Sequence, residues 1–92
     1  MMDKRLPVRP FRTACGVYWA HDFDELGRHR WSSQACYPIQ IIRLDKKGSH
    51  TRFALYERSA QIPFAYCLKL PLAFRVARNH IQWRQRWNWR RR

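Results

Sequence analysis

The side chains best suited to chemistry lie in a short acidic segment near residue 24 and in a basic segment at the C terminus. The acidic segment contains Asp22, Asp24 and Glu25, with His21 and His29 beside them. Catalysis by proton transfer needs a positioned pair of such titratable groups. The same carboxylates suit the first turn of a helix, where the helix dipole favours negative charge. We favour this structural interpretation over a metal or catalytic site.

The remaining residues form no recognisable metal, cofactor or phosphate site. Cys15, Cys36 and Cys67 are widely spaced single positions without a CxxC pair or an accompanying HxxxH, so the spacing typical of zinc sites is missing. The three glycines are isolated and make no phosphate-binding loop. We therefore expect a protein without enzymatic activity, metal or cofactor.

Charge is the strongest signal in the composition. The 92 residues include 19 Lys and Arg against 6 Asp and Glu, which gives a formal net charge of +13. So much charge of one sign repels itself in a small body, and this indicates a negatively charged partner. An acidic protein and a nucleic acid both meet this requirement, so charge alone does not choose between them.

The basic segment HIQWRQRWNWRRR closes the chain and contains no acidic residue. Arginine neutralises phosphates or acidic side chains, while tryptophan stacks on bases or anchors a protein interface. The candidate partner-binding residues are therefore in this segment: Arg84, Arg86, Trp89, Arg90, Arg91 and Arg92.

These residues are expected on a helix over 72–91, which begins just after Pro71, since proline is acceptable near a helix start. A helical wheel gathers apolar residues in one broad arc: Val76, Ala77, Ile81, Trp83 and Trp87. Polar residues lie opposite: Arg75, Arg78, Gln82, Gln85 and Arg86. The pattern predicts a basic amphipathic helix with Trp83 and Trp87 in the core and Trp89 available to a partner.

The clearest strand signal is at the centre of the chain, where CYPIQIIRL and SHTRFALYER flank DKKG. Two runs rich in β-branched and aromatic residues around a turn that ends in glycine predict a hairpin, with residues near Ile41 paired to residues near Phe53. Alternation places Ile39 and Ile41 on one face and Ile42 and Leu44 on the other. We therefore expect other elements to cover both faces.

The N-terminal part is expected to begin with a basic extended arm over residues 1–12, where two prolines disfavour a helix. A strand in 13–20 follows, and Asp22 would cap a helix of one or two turns that stops at Gly27. The predicted fold is one α+β domain over 1–92. It has a small antiparallel sheet built on the central hairpin, a short helix and a long basic C-terminal helix.

Cysteine usage and hydropathy predict a cytoplasmic protein. An odd number of cysteines cannot complete a disulfide framework, so three reduced thiols are expected. No segment reaches the roughly 18 apolar residues of a bilayer span, and the N terminus lacks the apolar stretch of a signal peptide. A membrane-surface helix is disfavoured because His80, Arg84 and Asn88 interrupt the apolar arc.

Five tryptophans and four tyrosines in 92 residues are more than so small a core hides easily, and these residue types often dominate interface energetics. Together with size and charge, the stretch VYWAHDFDELGRHRWSSQACYP and the Arg/Trp tail resemble the anti-RecBCD proteins of lambdoid phages. The resemblance implies an inhibitor in the host cytoplasm that binds the RecC subunit of the RecBCD nuclease–helicase and alters its action on DNA ends. It carries over no site residue.

Two alternatives remain open. The Arg/Trp helix could bind DNA or RNA directly, with arginines on phosphates and an aromatic ring on an unpaired base. Prolines set between apolar residues, such as Pro63 and Pro71, also suggest a host prolyl isomerase as a partner, since X–Pro isomerisation is slow.

Overall fold

The computed structural model describes residues 11–34, 38–44, 52–58 and 60–91, without the side chains of residues 11 and 87–91. These residues form one six-stranded antiparallel sheet and one C-terminal helix. The elements are β1 (Phe11–Ala14), β2 (Val17–Phe23), β3 (His29–Ser33), β4 (Ile39–Leu44), β5 (Arg52–Glu57), β6 (Ala65–Cys67) and α1 (Leu70–Arg91). Each strand pairs with the next in the chain, so the sheet is a meander. The predicted α+β class is confirmed at this level.

The core lies between α1 and one face of the sheet. Alternation along the strands turns Trp19, Trp31, Ile41 and Leu55 to this face, and all four are buried. Phe74 of α1 packs between the tryptophans, with its ring centroid 5.1 Å from that of Trp19 and 6.4 Å from that of Trp31. Phe74 is therefore the main aromatic contact between the helix and the sheet.

The buried stripe of α1 is narrower than the sequence suggested, and the prediction that Trp83 is in the core is wrong. The buried helical residues are Ala73, Phe74, Ala77 and Ile81, whereas Trp83 is 52% exposed. Trp83 follows Ile81 by two residues, a rotation of about 200° around the helix axis. Once the sheet contacts the Phe74–Ile81 stripe, Trp83 must point away from it. The helix also begins at Leu70 rather than residue 72.

The predicted short helix from Asp22 to Gly27 is also wrong. Residues 22 and 23 continue β2, and a tight turn joins β2 to β3. The Asp24 carboxylate accepts hydrogen bonds from the backbone N–H groups of Leu26 and Arg28, at 2.9 and 2.8 Å. Gly27 has a φ of +78°, which glycine adopts without strain. These residues therefore define a hairpin turn.

Asp24→Ala should lower the free energy of unfolding by about 1–3 kcal/mol, because it leaves the turn's N–H donors without their acceptor. Asp24 also holds the Arg28 side chain, with Arg28 Nε 2.8 Å from Asp24 Oδ2. Burial alone would raise the pKa of Asp24, but the hydrogen bonds from Arg28 and Leu26 outweigh it and lower the pKa. Urea unfolding at neutral pH measures the loss, with exposed Glu25→Ala as the control. Equal stability of the two variants would contradict this role.

The strand predicted over 13–20 is divided by a second tight turn. β1 ends at Ala14 and β2 begins at Val17, and the turn residues Cys15 and Gly16 both have positive φ, 53° and 75°. The predicted extended arm over 1–12 is therefore too long, because residues 11 and 12 belong to β1. Residues 1–10 of the arm lie outside the described residues.

The central strands pair as antiparallel neighbours, with Ile41 opposite Leu55 and Arg43 opposite Phe53. The turn that was expected to join them, at DKKG, lies outside the described residues. α1 covers the face that carries Ile41. Within the described residues no helix or strand covers the opposite face, which carries Ile42. Ile42 and Ala54 on that face are nevertheless buried, at 9% and 0% exposed, so the expectation that both faces are covered is confirmed for the Ile41 face and stays a prediction for the other.

Candidate partner-binding surface

α1 continues for ten residues after Ile81, and its described side chains after that residue are not buried. Its 22 residues correspond to a length of about 33 Å. Ile81 is the last buried residue of α1 among those whose side chains are described. Six of the exposed side chains of the helix form one row: Leu72, Arg75, Asn79, Gln82, Trp83 and Arg86. Because residues 70–92 contain no acid, this row is a basic surface with an aromatic residue in it.

A cluster of five residues, here the Trp83 cluster, lies where this helix passes the ends of β5 and β6: Glu57, Phe64, His80, Trp83 and Arg84. The His80 ring stacks on Phe64 with centroids 4.0 Å apart and an interplanar angle of 17°. The Trp83 ring follows, with its centroid 5.8 Å from that of His80. The guanidinium carbon of Arg84 lies 5.6 Å from the Trp83 ring centroid, within cation–π range. The exposed indole is therefore held by two neighbours.

Glu57 fixes the polar side of the Trp83 cluster. Its Oε2 atom accepts a hydrogen bond from His80 Nε2 at 2.8 Å and lies 2.9 Å from Arg84 Nε. The His80 hydrogen bond is the largest influence on the pKa of Glu57 and lowers it; partial burial opposes the effect, and the charge of Arg84 reinforces it. Glu57 is therefore a stable anion near neutral pH, and it links β5 to two successive turns of α1.

His80 lies between a carboxylate and an aromatic ring in this cluster. A histidine oriented by a carboxylate becomes a general base when a nucleophile lies within hydrogen-bond reach. In the described part of the chain, no hydroxyl or thiol group hydrogen-bonds to His80, whose ring stacks against Phe64. What the site offers a partner is the exposed surface of Trp83, Phe64 and Ile62, which are 52%, 36% and 78% exposed.

Two of the predicted partner-binding residues have described side chains. Arg84 lies in the Trp83 cluster, paired with Glu57, and Arg86 is exposed on the same helix. The backbones of Trp89, Arg90 and Arg91 continue α1, but their side chains lie outside the described part, as does all of Arg92.

Phe64, Ile62 and Glu57 were not identified from the sequence as parts of this surface. Glu57 carried a usable signal, since it is the single acidic residue in 46–92. A lone carboxylate in so basic a stretch is expected to attract arginine. Phe64 offered no comparable signal, because the stacking depends on where the loop between β5 and β6 meets the helix.

The acidic and histidine residues singled out near residue 24 are divided between the two faces of the sheet. Asp22 makes a two-point ion pair with Arg30 on the face opposite α1, at 2.9 and 2.8 Å. On the helix side, His21 Nε2 lies 2.8 Å from His29 Nδ1, and the His21 ring stacks on Trp31 at 4.7 Å. Among the described residues, no three His, Cys, Asp or Glu side chains are grouped to hold a metal ion.

The two described cysteines are unpaired. Cys15 is exposed and Cys67 is buried, and burial raises the pKa of the Cys67 thiol. Cys36 lies outside the described residues. The full count of three reduced thiols stays a prediction.

His21 should make the stability of the domain depend on pH. Burial is the main cause that lowers the pKa of His21; the charges of His29 and Arg12 add to it, and Asp22 opposes it. The unfolded chain therefore binds more protons at this position as the pH falls through about 6.5, and the free energy of unfolding decreases from about pH 7 towards pH 5. In His21→Gln, thermal midpoints measured across this range should vary less with pH than in the parent. Parallel curves would exclude His21 as the cause.

Comparisons with protein-family models, curated proteins and solved structures found no match to this chain. The resemblance to anti-RecBCD proteins therefore stays a prediction. Over the residues that the structure describes, no helix has the length and apolar character that a bilayer span requires.

Proposed function

We propose that this protein is a non-enzymatic binder that attaches to a negatively charged protein through the exposed side of α1. The partner is a host DNA-processing enzyme of the RecBCD type, with the RecC subunit as the contact that the resemblance implies. Binding alters the action of that enzyme on DNA ends, in the host cytoplasm. The observation that carries the proposal is the Trp83 cluster, where an exposed indole is held in place beside an arginine.

The chemistry of the cluster supports a protein partner. Tryptophan, tyrosine and arginine are the residues that most often dominate binding energy at protein interfaces. The Trp83 ring contacts His80 and Arg84, so less conformational entropy is lost when a partner covers it. Phe64, which stacks on His80, and Ile62 are also exposed.

The positive charge of the chain also supports a negatively charged protein partner. The exposed row of α1 includes Arg75 and Arg86, and the whole chain has a formal charge of +13. A field of this sign accelerates encounter with an acidic surface and discriminates against basic ones. Trp89 lies further along the same helix, and its predicted role as an anchor stays a prediction.

Affinity capture from bacterial lysate tests the proposal, with the tagged chain as bait and each sample divided into nuclease-treated and untreated halves. A RecBCD-type enzyme should be retained in both halves by the parent protein and should be depleted when Trp83→Ala is the bait. Gln82→Ala is the matched control, because Gln82 is exposed on the same turn. Loss of all specific partners after nuclease treatment would refute a protein contact.

Direct binding of nucleic acid by α1 is the second candidate. It is favoured by the arginines on the exposed side, which could follow a phosphate backbone. Replacing Arg75 and Arg86 with glutamine should then reduce the log–log salt slope by about 0.7 to 0.9 for each phosphate that is no longer neutralised, with similar weakening on unrelated sequences. Unchanged slopes in both variants would exclude this candidate for the described part of the helix.

A further inference from the structure

The face of the sheet opposite α1, here the open face, carries a second set of aromatic and polar side chains. Strand alternation directs them away from the core: Tyr18, Ser32, Gln40, Arg52, Tyr56 and Tyr66. Tyr18 is 52% exposed and Tyr66 is 56% exposed. Among the described elements, α1 packs on the other face. On this face Ile42 and Ala54 are buried, at 9% and 0% exposed, and the tyrosine rings are the accessible aromatic groups. The open face is independent of the Trp83 cluster, which lies on the helix side.

The strand register joins these residues into a path across the sheet. Ser32 is opposite Gln40, and Gln40 is opposite Tyr56. Tyr66 is opposite Ala54, two residues from Tyr56, so the two tyrosines are diagonal neighbours. Tyr18 lies at the other end, on β2. From β2 to β6 the path is about 19 Å long, from four strand spacings of about 4.8 Å.

This arrangement of rings and hydrogen-bonding groups fits unpaired bases. Aromatic side chains on a sheet surface stack two or three bases in known single-strand binders, and stacking tolerates any base because each has a π face. Hydroxyl and amide groups such as Ser32 and Gln40 can hydrogen-bond to base edges between the stacking positions. Exposed Arg52 at the edge of the path is available to a phosphate.

Charge favours a nucleic acid over another copy of this protein on the open face. In the described residues, the acidic side chain on this face is that of Asp22. Its two-point ion pair with Arg30 neutralises its negative charge. A second copy would bring together two bodies that each have a charge of +13, which is repulsive. A double helix is a poor fit as well, since its bases are paired and stacked and cannot lie on the tyrosine rings.

We propose that the open face binds a single strand of nucleic acid, with bases stacked on Tyr18, Tyr56 and Tyr66. This binding does not rest on the proposed protein contact, because the two surfaces lie on opposite sides of the sheet. One molecule can then hold a protein partner through α1 and an unpaired strand through the sheet.

Fluorescence anisotropy with a fluorescein-labelled oligothymidylate of about 15 nucleotides tests the proposal, with oligouridylate and a duplex of equal length as further probes. Tyr66→Thr and Tyr18→Thr keep strand propensity and remove the ring. Each should weaken binding by roughly 5- to 100-fold without changing its salt slope, because stacking releases no counterion. Tyr66→Phe should retain binding, and Arg52→Gln should reduce the slope by about 0.7.

Two variants serve as matched controls. Phe23→Thr removes an aromatic ring that is 47% exposed on a strand but directed to the helix side, and it should leave oligonucleotide affinity unchanged. Trp83→Ala should likewise leave it unchanged while it weakens capture of the protein partner. Loss of oligonucleotide binding in Trp83→Ala, with normal binding in the tyrosine variants, would place the strand on α1 and overturn the proposal.

Three other results would also overturn it. The first is equal affinity for the duplex and the single strand with no effect of any tyrosine, which would indicate phosphate contacts alone. The second is the absence of binding at about 50 mM salt, where phosphate contacts are strong. The third is a result in which the tyrosine substitutions change the sedimentation of the protein but not its affinity for the oligonucleotide. That result would assign the open face to a second copy. Oligothymidylate and oligouridylate affinities that differ would identify the strand as DNA or RNA.

Discussion

Phe74→Ala is expected to destabilise the domain by about 3–5 kcal/mol, the usual cost of truncating a buried phenylalanine. Phe74 is 2% exposed and contacts Trp19 and Trp31. The guanidinium carbon of Arg12 also lies over its ring, 5.0 Å from the centroid. Domains of this size have a total stability of about 5–15 kcal/mol, so the variant should lose much of its stability. Urea unfolding followed by tryptophan fluorescence measures the change.

Leu72→Ala is the matched control for Phe74. Leu72 lies two residues earlier on the same helix but is 42% exposed, so its truncation should change stability by about 0.5 kcal/mol or less. If both variants lose similar stability, the helix is not anchored through Phe74 and the position of the core is wrong.

Trp83→Ala is expected to weaken binding to a purified RecBCD-type enzyme by about 2 kcal/mol or more, roughly 30-fold in the dissociation constant. Because Trp83 is 52% exposed, the thermal midpoint should change little. This inverts the expectation from the helical wheel, in which Trp83 was a core residue. Isothermal titration measures the loss of affinity, and a nuclease assay measures the loss of inhibition that follows from it.

Trp83→Phe and Gln82→Ala define the specificity of that effect. Phenylalanine keeps an aromatic face for the partner and should recover part of the affinity, while Gln82→Ala should bind as the parent does. A Trp83→Ala protein that unfolds early, or that inhibits as well as the parent, would remove Trp83 from the binding surface.

The sequence predicted the class of the fold because its strongest signals are local. The β-branched run that contains Ile41 and the aromatic run that contains Phe53 are each sufficient to indicate a strand. After Pro71 the chain contains no acidic residue, and its apolar residues recur with helical spacing. These two features are sufficient to indicate a basic helix. Neither signal depends on contacts between distant residues.

The errors arose where one local pattern allowed two structures. Asp22, Asp24 and Gly27 fit a helix start and stop, but Asp and Gly are also the residues of tight turns. The alternating residues on both sides of the turn, which pair His21 with Trp31, decide for a hairpin. This pairing is apparent only when the sequences of β2 and β3 are considered together.

The helix that carries the candidate site was predicted from the sequence, but the neighbours that surround its side chains were not. The basic helix was identified, and Arg84 and Arg86 are on it. The width of the buried stripe of this helix depends on the sheet that the helix contacts. A helical wheel of α1 alone carries no information about that sheet. The exposure of Trp83 and its contact with Phe64 through His80 are products of that packing. The open face follows in the same way from the number and order of strands.

Site-specific photo-crosslinking tests the central claim most directly. A benzoylphenylalanine introduced at position 83 in the full chain would be irradiated in the presence of a purified RecBCD-type enzyme and DNA ends. The same group at exposed Leu26, in the turn between β2 and β3, is the control away from α1. We expect an adduct with a protein subunit that survives nuclease treatment and forms mainly from position 83. No adduct, or adducts that disappear after nuclease treatment, would contradict a protein-binding surface on this helix.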